Sequence, residues 1–161
     1  MKNYRPDQIA NYFLTLVNDE TGDAISNLKL QKLCYYAQGL AVATRGQPLF
    51  TDPVEAWTHG PVVPSLYRRY KDYGANPLSP QADFSPEVID AADQGILNDV
   101  FAVFGQYSAW KLRDMTHEEA PWKSAYERAP GSAISVESLA EYFNNEVSDD
   151  YRATYNAKAE G

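Results

Sequence analysis

The sequence predicts a mainly α protein, a single compact helical domain with a small β-hairpin or short-strand element. Three observations predict it. Apolar residues recur at helical spacing in several separate stretches. Prolines and serines stand where those stretches begin, and glycines stand where several of them end. Only one short region breaks the helical pattern with alternation, and a chain of 161 residues that is 44% apolar suffices for one well-filled core.

Pro6 opens the first helix, because a proline at the first helical position lacks only an N–H that would go unpaired there. Ile9, Phe13, Leu16 and Val17 then share a face, so a helix is expected over Pro6 to Asn18, with Asp19 to Asp23 as the loop that ends it. Ser26 suits an N-cap, and Ile25 and Leu30 stand at the spacing of a hydrophobic staple. Leu30, Leu33, Cys34, Ala37 and Ala41 form one face of this second helix, which reaches Thr44 before Gly46 stops it.

Between Leu49 and His59, Val54, Ala56 and Thr58 alternate with Glu55 and Trp57 after Pro53, which predicts one or two short strands. Pro61 is expected to open a helix that carries Val62, Val63, Leu66, Tyr67 and Tyr70 to Tyr73, closed by Gly74. Ala75 to Ser85 has no periodicity and reads as a surface loop. A long helix is expected over Pro86 to Phe104 on the stripe Ile89, Ala92, Ile96, Val100, Val103 and Phe104.

Ser108 caps a shorter helix over Ala109 to Met115, a bend through His117 to Pro121 leads to Trp122, and Ser135 caps a helix over Val136 to Asn145. Residues 1–147 are the expected domain, and 148–161 a polar tail expected to fray. Leu30, Leu33, Ala37, Ile96, Val100 and Phe104 are expected to be buried.

Composition excludes several function classes. A formal charge of −8 repels a polyanion, so nucleic acid is not an expected ligand, whereas a basic protein surface is compatible. No apolar stretch approaches the roughly 20 residues that cross a bilayer, and none behind Met1 resembles a secretory signal. Cys34 stands alone, which suits the reducing cytoplasm.

Two histidines and one cysteine do not make a zinc site without carboxylates. His117-Glu118-Glu119 resembles a fragment of a zinc-protease motif, but Pro121 stands where its second histidine is needed. No phosphate-cradling glycine loop or nucleophile elbow is present, while a triad assembled in space stays open at this level. No cofactor, metal or catalytic residue is expected.

What the sequence does concentrate is aromatic side chains: Tyr35, Tyr36, Trp57, Tyr67, Tyr70, Tyr73, Trp110, Trp122 and Tyr126. Such residues fill cores, and they also anchor interfaces, because they bring large area at little rotamer entropy. Tyr70 and Tyr73 are expected to be more exposed than Trp110. His59, before Gly60-Pro61, reads as a hydrogen-bonded turn residue, a pH-sensitive contact or a base. Lys29 and Lys32, three apart on one helix, read as a solvated stripe or as a site for an acidic partner.

Three blocks together resemble the Panacea domain of SocA-like antitoxins. They are Asn27-Leu28-Lys29-Leu30-Gln31-Lys32-Leu33-Cys34-Tyr35-Tyr36-Ala37-Gln38-Gly39; Gly46-Gln47-Pro48-Leu49-Phe50, then Glu55-Ala56-Trp57-Thr58-His59-Gly60-Pro61-Val62-Val63-Pro64, then Tyr67, Tyr70 and Lys71; and Leu112 to Trp122. His59 stands where the family more often has tyrosine. The resemblance, over about Ala10 to Phe143, implies a compact helical fold and an antitoxin that neutralises a cognate toxin protein by direct contact, with a bacterial protease as a further partner. It also places the partner-binding surface where the blocks meet: Lys29, Lys32, Tyr36, Trp57, His59, His117, Glu118 and Trp122. The first helix begins within a few residues of Met1, so no appended DNA-binding domain is expected. The rival readings are a phage or prophage accessory protein that binds a host factor and a small cytoplasmic hydrolase or transferase.

Overall fold

The computed structural model describes residues 2–18 and 24–161, so the predicted loop at Asp19 to Asp23 lies outside the described residues. Helix α1 (Pro6–Thr15) starts at the predicted proline and ends before Asn18, where the Leu16 N–H bonds the Phe13 carbonyl. Helix α2 (Asn27–Arg45) has the predicted ends: the Ser26 hydroxyl accepts the Lys29 N–H, and Gly46 closes the helix at φ 81°. That left-handed conformation is open to glycine at no steric cost.

Strands β1 (Val54–Trp57) and β2 (Gly60–Val62) form the expected hairpin, with Trp57 opposite Gly60 and Thr58-His59 as the turn. Pro61 does not open a helix; it pairs with Ala56 in β2, an edge strand, where a missing N–H costs nothing. Helix α3 (Pro64–Tyr70) begins at the next suitable proline, and a 3-10 turn over Lys71–Tyr73 leads to Gly74.

The expected helix from Pro86 is likewise split. Pro86–Val88 makes a single 3-10 turn, Ile89 is extended, and α4 (Ala91–Phe104) starts after Asp90. The break is held by Tyr4, whose hydroxyl accepts the Asp90 N–H at 3.1 Å and donates to Asp93 at 2.6 Å.

Ser108 caps α5 (Ala109–His117), as expected. The predicted bend at His117 to Pro121 runs straight into a further helix, α6 (Ala120–Arg128), with Pro121 in its first turn. Strand β3 (Ala133–Ile134) adds to the other edge of β1, giving an antiparallel sheet of order β2-β1-β3. Two residues carry no readable period, so only their pairing with Val54 and Glu55 reveals this strand. Ser135 caps α7 (Val136–Phe143).

The expected fraying tail is instead α8 (Asp149–Glu160), capped by Ser148. Its surface is polar, but Arg152 donates to the Ala43 carbonyl at 2.8 Å, and buried Tyr155 donates to Asp93 at 2.8 Å. Such anchoring side chains among polar neighbours leave no apolar stripe to see in the sequence.

Helix α2 runs through the middle of the fold, against α1, α3, α4, α5, α7, α8 and β2. Leu30, Leu33, Ala37, Ile96 and Val100 are buried as expected. Phe104 is only partly buried, stacked on Tyr36 with ring centres 3.8 Å apart. Tyr70 is buried at 7% exposure, whereas Trp110 is 57% exposed, the reverse of the expected order, and Tyr73 is exposed.

Asp93 ties four parts of the chain together, accepting from Tyr4, Tyr155 and the Arg45 guanidinium, the last at 3.0 Å between two buried side chains. Removing one partner of a buried ion pair leaves an uncompensated charge. Arg45→Met is therefore expected to lower unfolding free energy by about 3 kcal/mol, measured by urea titration. An unchanged midpoint would show that the tyrosines alone satisfy Asp93.

Candidate functional site

The three sequence blocks meet around the middle of α2. From the third block, Glu119 accepts the Tyr35 hydroxyl at 2.9 Å and the Tyr36 hydroxyl at 2.7 Å, both from the first. Trp122 donates its indole N–H to the Trp57 carbonyl in the second block at 2.8 Å. Lys32 reaches the Pro61 carbonyl at 3.2 Å, and Gln31 accepts the Val63 N–H at 2.9 Å.

Of the eight residues singled out in the sequence, Lys29, Lys32, Tyr36 and Trp122 are buried; Trp57 and His117 are partly buried; His59 and Glu118 are exposed. Lys29 donates to the Gly105 carbonyl at 2.6 Å and so belongs neither to a solvated stripe nor to an open surface. Tyr36 is the floor of a groove rather than its rim.

The exposed chemistry gathers at the β1–β2 turn. Arg113 donates from Nε to His59 Nδ1 at 3.2 Å, its guanidinium lies 5.3 Å from the Trp110 ring centre, and the His59 ring meets Trp110 edge-on at 5.5 Å. Behind the turn, His117, Trp122 and Tyr126 form a continuous stack, with ring centres 3.9 and 4.6 Å apart. Beside it lies a groove of about 610 Å³ lined by Leu28, Trp57, His59, Tyr67 and Lys71, with no carboxylate among the described residues that line it. Arg113 and Trp110 were missed as site residues; the signal available was their i, i+3 spacing on a capped helix.

Gly60 holds the turn down at φ 108°, and a Cβ there would stand 2.6 Å from Lys32 Cε and 2.9 Å from Thr116 Oγ1. Only glycine fits so close an approach.

The ionisable groups beneath the turn are shifted by burial. Loss of solvent brings Lys32 down to about 7, with Arg113 adding repulsion. Burial raises Glu119 to about 7, against the opposing hydrogen bonds from Tyr36 and Tyr35. Burial, then Arg113, also lowers His117, whose Nε2 is buried without a partner. Burial raises the Cys34 thiol far above its usual range, so it is not a thiolate. Among the described residues no cluster of His, Cys, Asp and Glu could hold a metal ion, and no helix is long and apolar enough to cross a membrane.

These features define a small, mostly helical domain with a three-stranded sheet, whose accessible chemistry is aromatic and cationic contact on a rigid turn. The chain belongs to the family described as Antitoxin SocA-like, Panacea domain, which matches residues 30–123, more than half of its length. It is similar to a protein of Caulobacter vibrioides (strain NA1000 / CB15N) named Antitoxin SocA, with 31% identity over 124 residues. That alignment takes in 70% of this chain and 65% of the relative's own length. No solved structure matches.

The two shifted groups give opposite pH signatures. Glu119 binds its proton more tightly when folded, so its contribution is whole below the ordinary 4.5 and is lost as pH rises to about 7. Lys32 binds its proton less tightly when folded, so its contribution is whole above 10.5 and is lost as pH falls to about 7. Glu119→Gln is expected to gain on the parent by about 1–3 kcal/mol between pH 5 and 8. Lys32→Met is expected to be stabilised at pH 7 by a similar amount, about 1–3 kcal/mol, a gain that shrinks toward pH 10. Thermal melts across pH check both; flat differences would show that neither group is shifted.

Proposed function

We propose that the protein is an antitoxin that neutralises a cognate toxin protein by direct binding, with the β1–β2 turn and its adjoining groove as the docking face. Family membership and the named relative support the role. The observation that carries the mode is the His59–Trp110–Arg113 cluster, in which an exposed tryptophan is set against a hydrogen-bonded imidazole and guanidinium.

Tryptophan and arginine carry much of the affinity at protein interfaces, and side chains already held in place lose little entropy on binding. The face bears Lys71, and Arg113 with its ion-pair partner Asp114, in a chain that is acidic overall, so a toxin surface with an apolar pocket and a carboxylate for Lys71 complements it. Lys32 and Trp122 support the face from below, through the Pro61 and Trp57 carbonyls, while Lys29 and Tyr36 bond elsewhere, to Gly105 and Glu119.

The test is co-expression with the product of an adjacent gene that is toxic alone. The parent chain is expected to restore growth, and Trp110→Ala and His59→Ala, both exposed, are expected to keep the parent melting temperature. Each hot-spot loss of about 2 kcal/mol weakens binding by roughly 30-fold and should reduce rescue at equal expression. Full rescue by both variants would move the docking face elsewhere. Failure of the parent chain to rescue would remove the antitoxin reading itself.

A further inference from the structure

A second groove, sharing no lining residue with the first, opens where α4, α7 and α8 converge. Its volume is about 540 Å³. The floor is apolar, with Val103, Phe104 and Met115, and Val103 is 51% exposed. The wall carries Asp99, Glu119 and Glu146, and among the described residues no lysine, arginine or histidine lines it. Arg152, the nearest cation along the chain to Ser148 and Tyr151 at the rim, is turned to the Ala43 and Asn144 carbonyls and to Asp149.

We propose that this groove is a second docking surface, built for a basic amphipathic segment of a partner protein that seats one or two apolar side chains on the floor and sets lysine or arginine against the three carboxylates.

Charge complementarity selects this occupant. A purely apolar ligand would strip water from Glu146 and from Asp99, which the Tyr151 hydroxyl bonds but which no cation among the groove's described residues faces, and that is costly. An acidic peptide, a nucleic acid or an anionic lipid surface meets the like charges of Asp99 and Glu146. A segment carrying both kinds of side chain covers exposed Val103 and neutralises the wall together. Glu119 fits this use, since both its oxygens are fixed by Tyr35 and Tyr36 and its position does not depend on the ligand.

The experiment pans a displayed random-peptide library against the purified full chain, then measures the enriched peptides by fluorescence anisotropy. Enriched sequences are expected to carry lysine or arginine flanking leucine or an aromatic residue, with weaker binding at high salt. Val103 and Glu146 are exposed, so Val103→Lys and Glu146→Lys should fold with the parent melting temperature; if one does not, the other decides. Each is expected to weaken binding about tenfold or more. Enrichment of neutral or acidic peptides, the absence of any enriched peptide, or affinity unmoved by both variants would overturn the proposal. Loss of binding in Trp110→Ala instead would assign the peptides to the turn face, which also overturns it. None of these outcomes depends on a toxin, so the antitoxin reading stands or falls separately.

Discussion

A helix buried on every side is ordinarily apolar all round, and α2 is not: Asn27, Lys29, Gln31, Lys32, Tyr35, Tyr36, Gln38 and Arg45 are all enclosed. Each such group must be bonded or it costs more than it contributes. Here the bonds are spent on other elements. Gln38 serves the backbone at Leu49 and Phe50, and Gln31 serves Val63. Asn27 serves Tyr67, Lys29 serves Gly105, and Arg45 serves Gln47 and Pro48. One helix thus satisfies the backbone of several connections that have little regular structure of their own, and their paths follow from its sequence.

This explains what was legible in the chain and what was not. The ends of α2, α5 and α7 were readable because Ser26, Ser108 and Ser135 act locally, through N–H groups a few residues away. Pro61 and Pro86 misled because a proline is as acceptable at a strand edge or in a 3-10 turn as at a helix start, and the partner that decides is distant. The Tyr4 contact with Asp90 spans most of the α1-to-α4 interval and has no local sign. Helix α8 was invisible for the same reason, its hold resting largely on the distant partners of Tyr151, Arg152 and Tyr155.

The site shows the same division. The blocks that carry the family resemblance do converge, but Lys29, Lys32 and Tyr36 face inward, because in a chain read linearly a buried lysine bonded to a carbonyl looks like a solvated one. Choosing between Glu118 and Glu119 was likewise beyond local reasoning. Pro121 makes Glu119 the residue before α6, which turns its carboxylate toward the tyrosines and leaves Glu118 in solvent. The two grooves, one without carboxylates and one without cations among the described residues that line them, came from residues scattered over most of the chain.

The close approach of Gly60 to Lys32 gives that lysine a second part beside its charge. With nothing between the glycine backbone and the lysine methylenes, the turn rests on α2 at a standoff equal to the thickness of one aliphatic chain. His59 sits on the same turn, and Arg113 and Trp110 approach it from α5, so the height of that rest fixes the spacing of the three. The lysine stem behaves as a shim: a thinner or branched side chain at position 32 would retune the gap between imidazole and indole without altering any residue that solvent can reach.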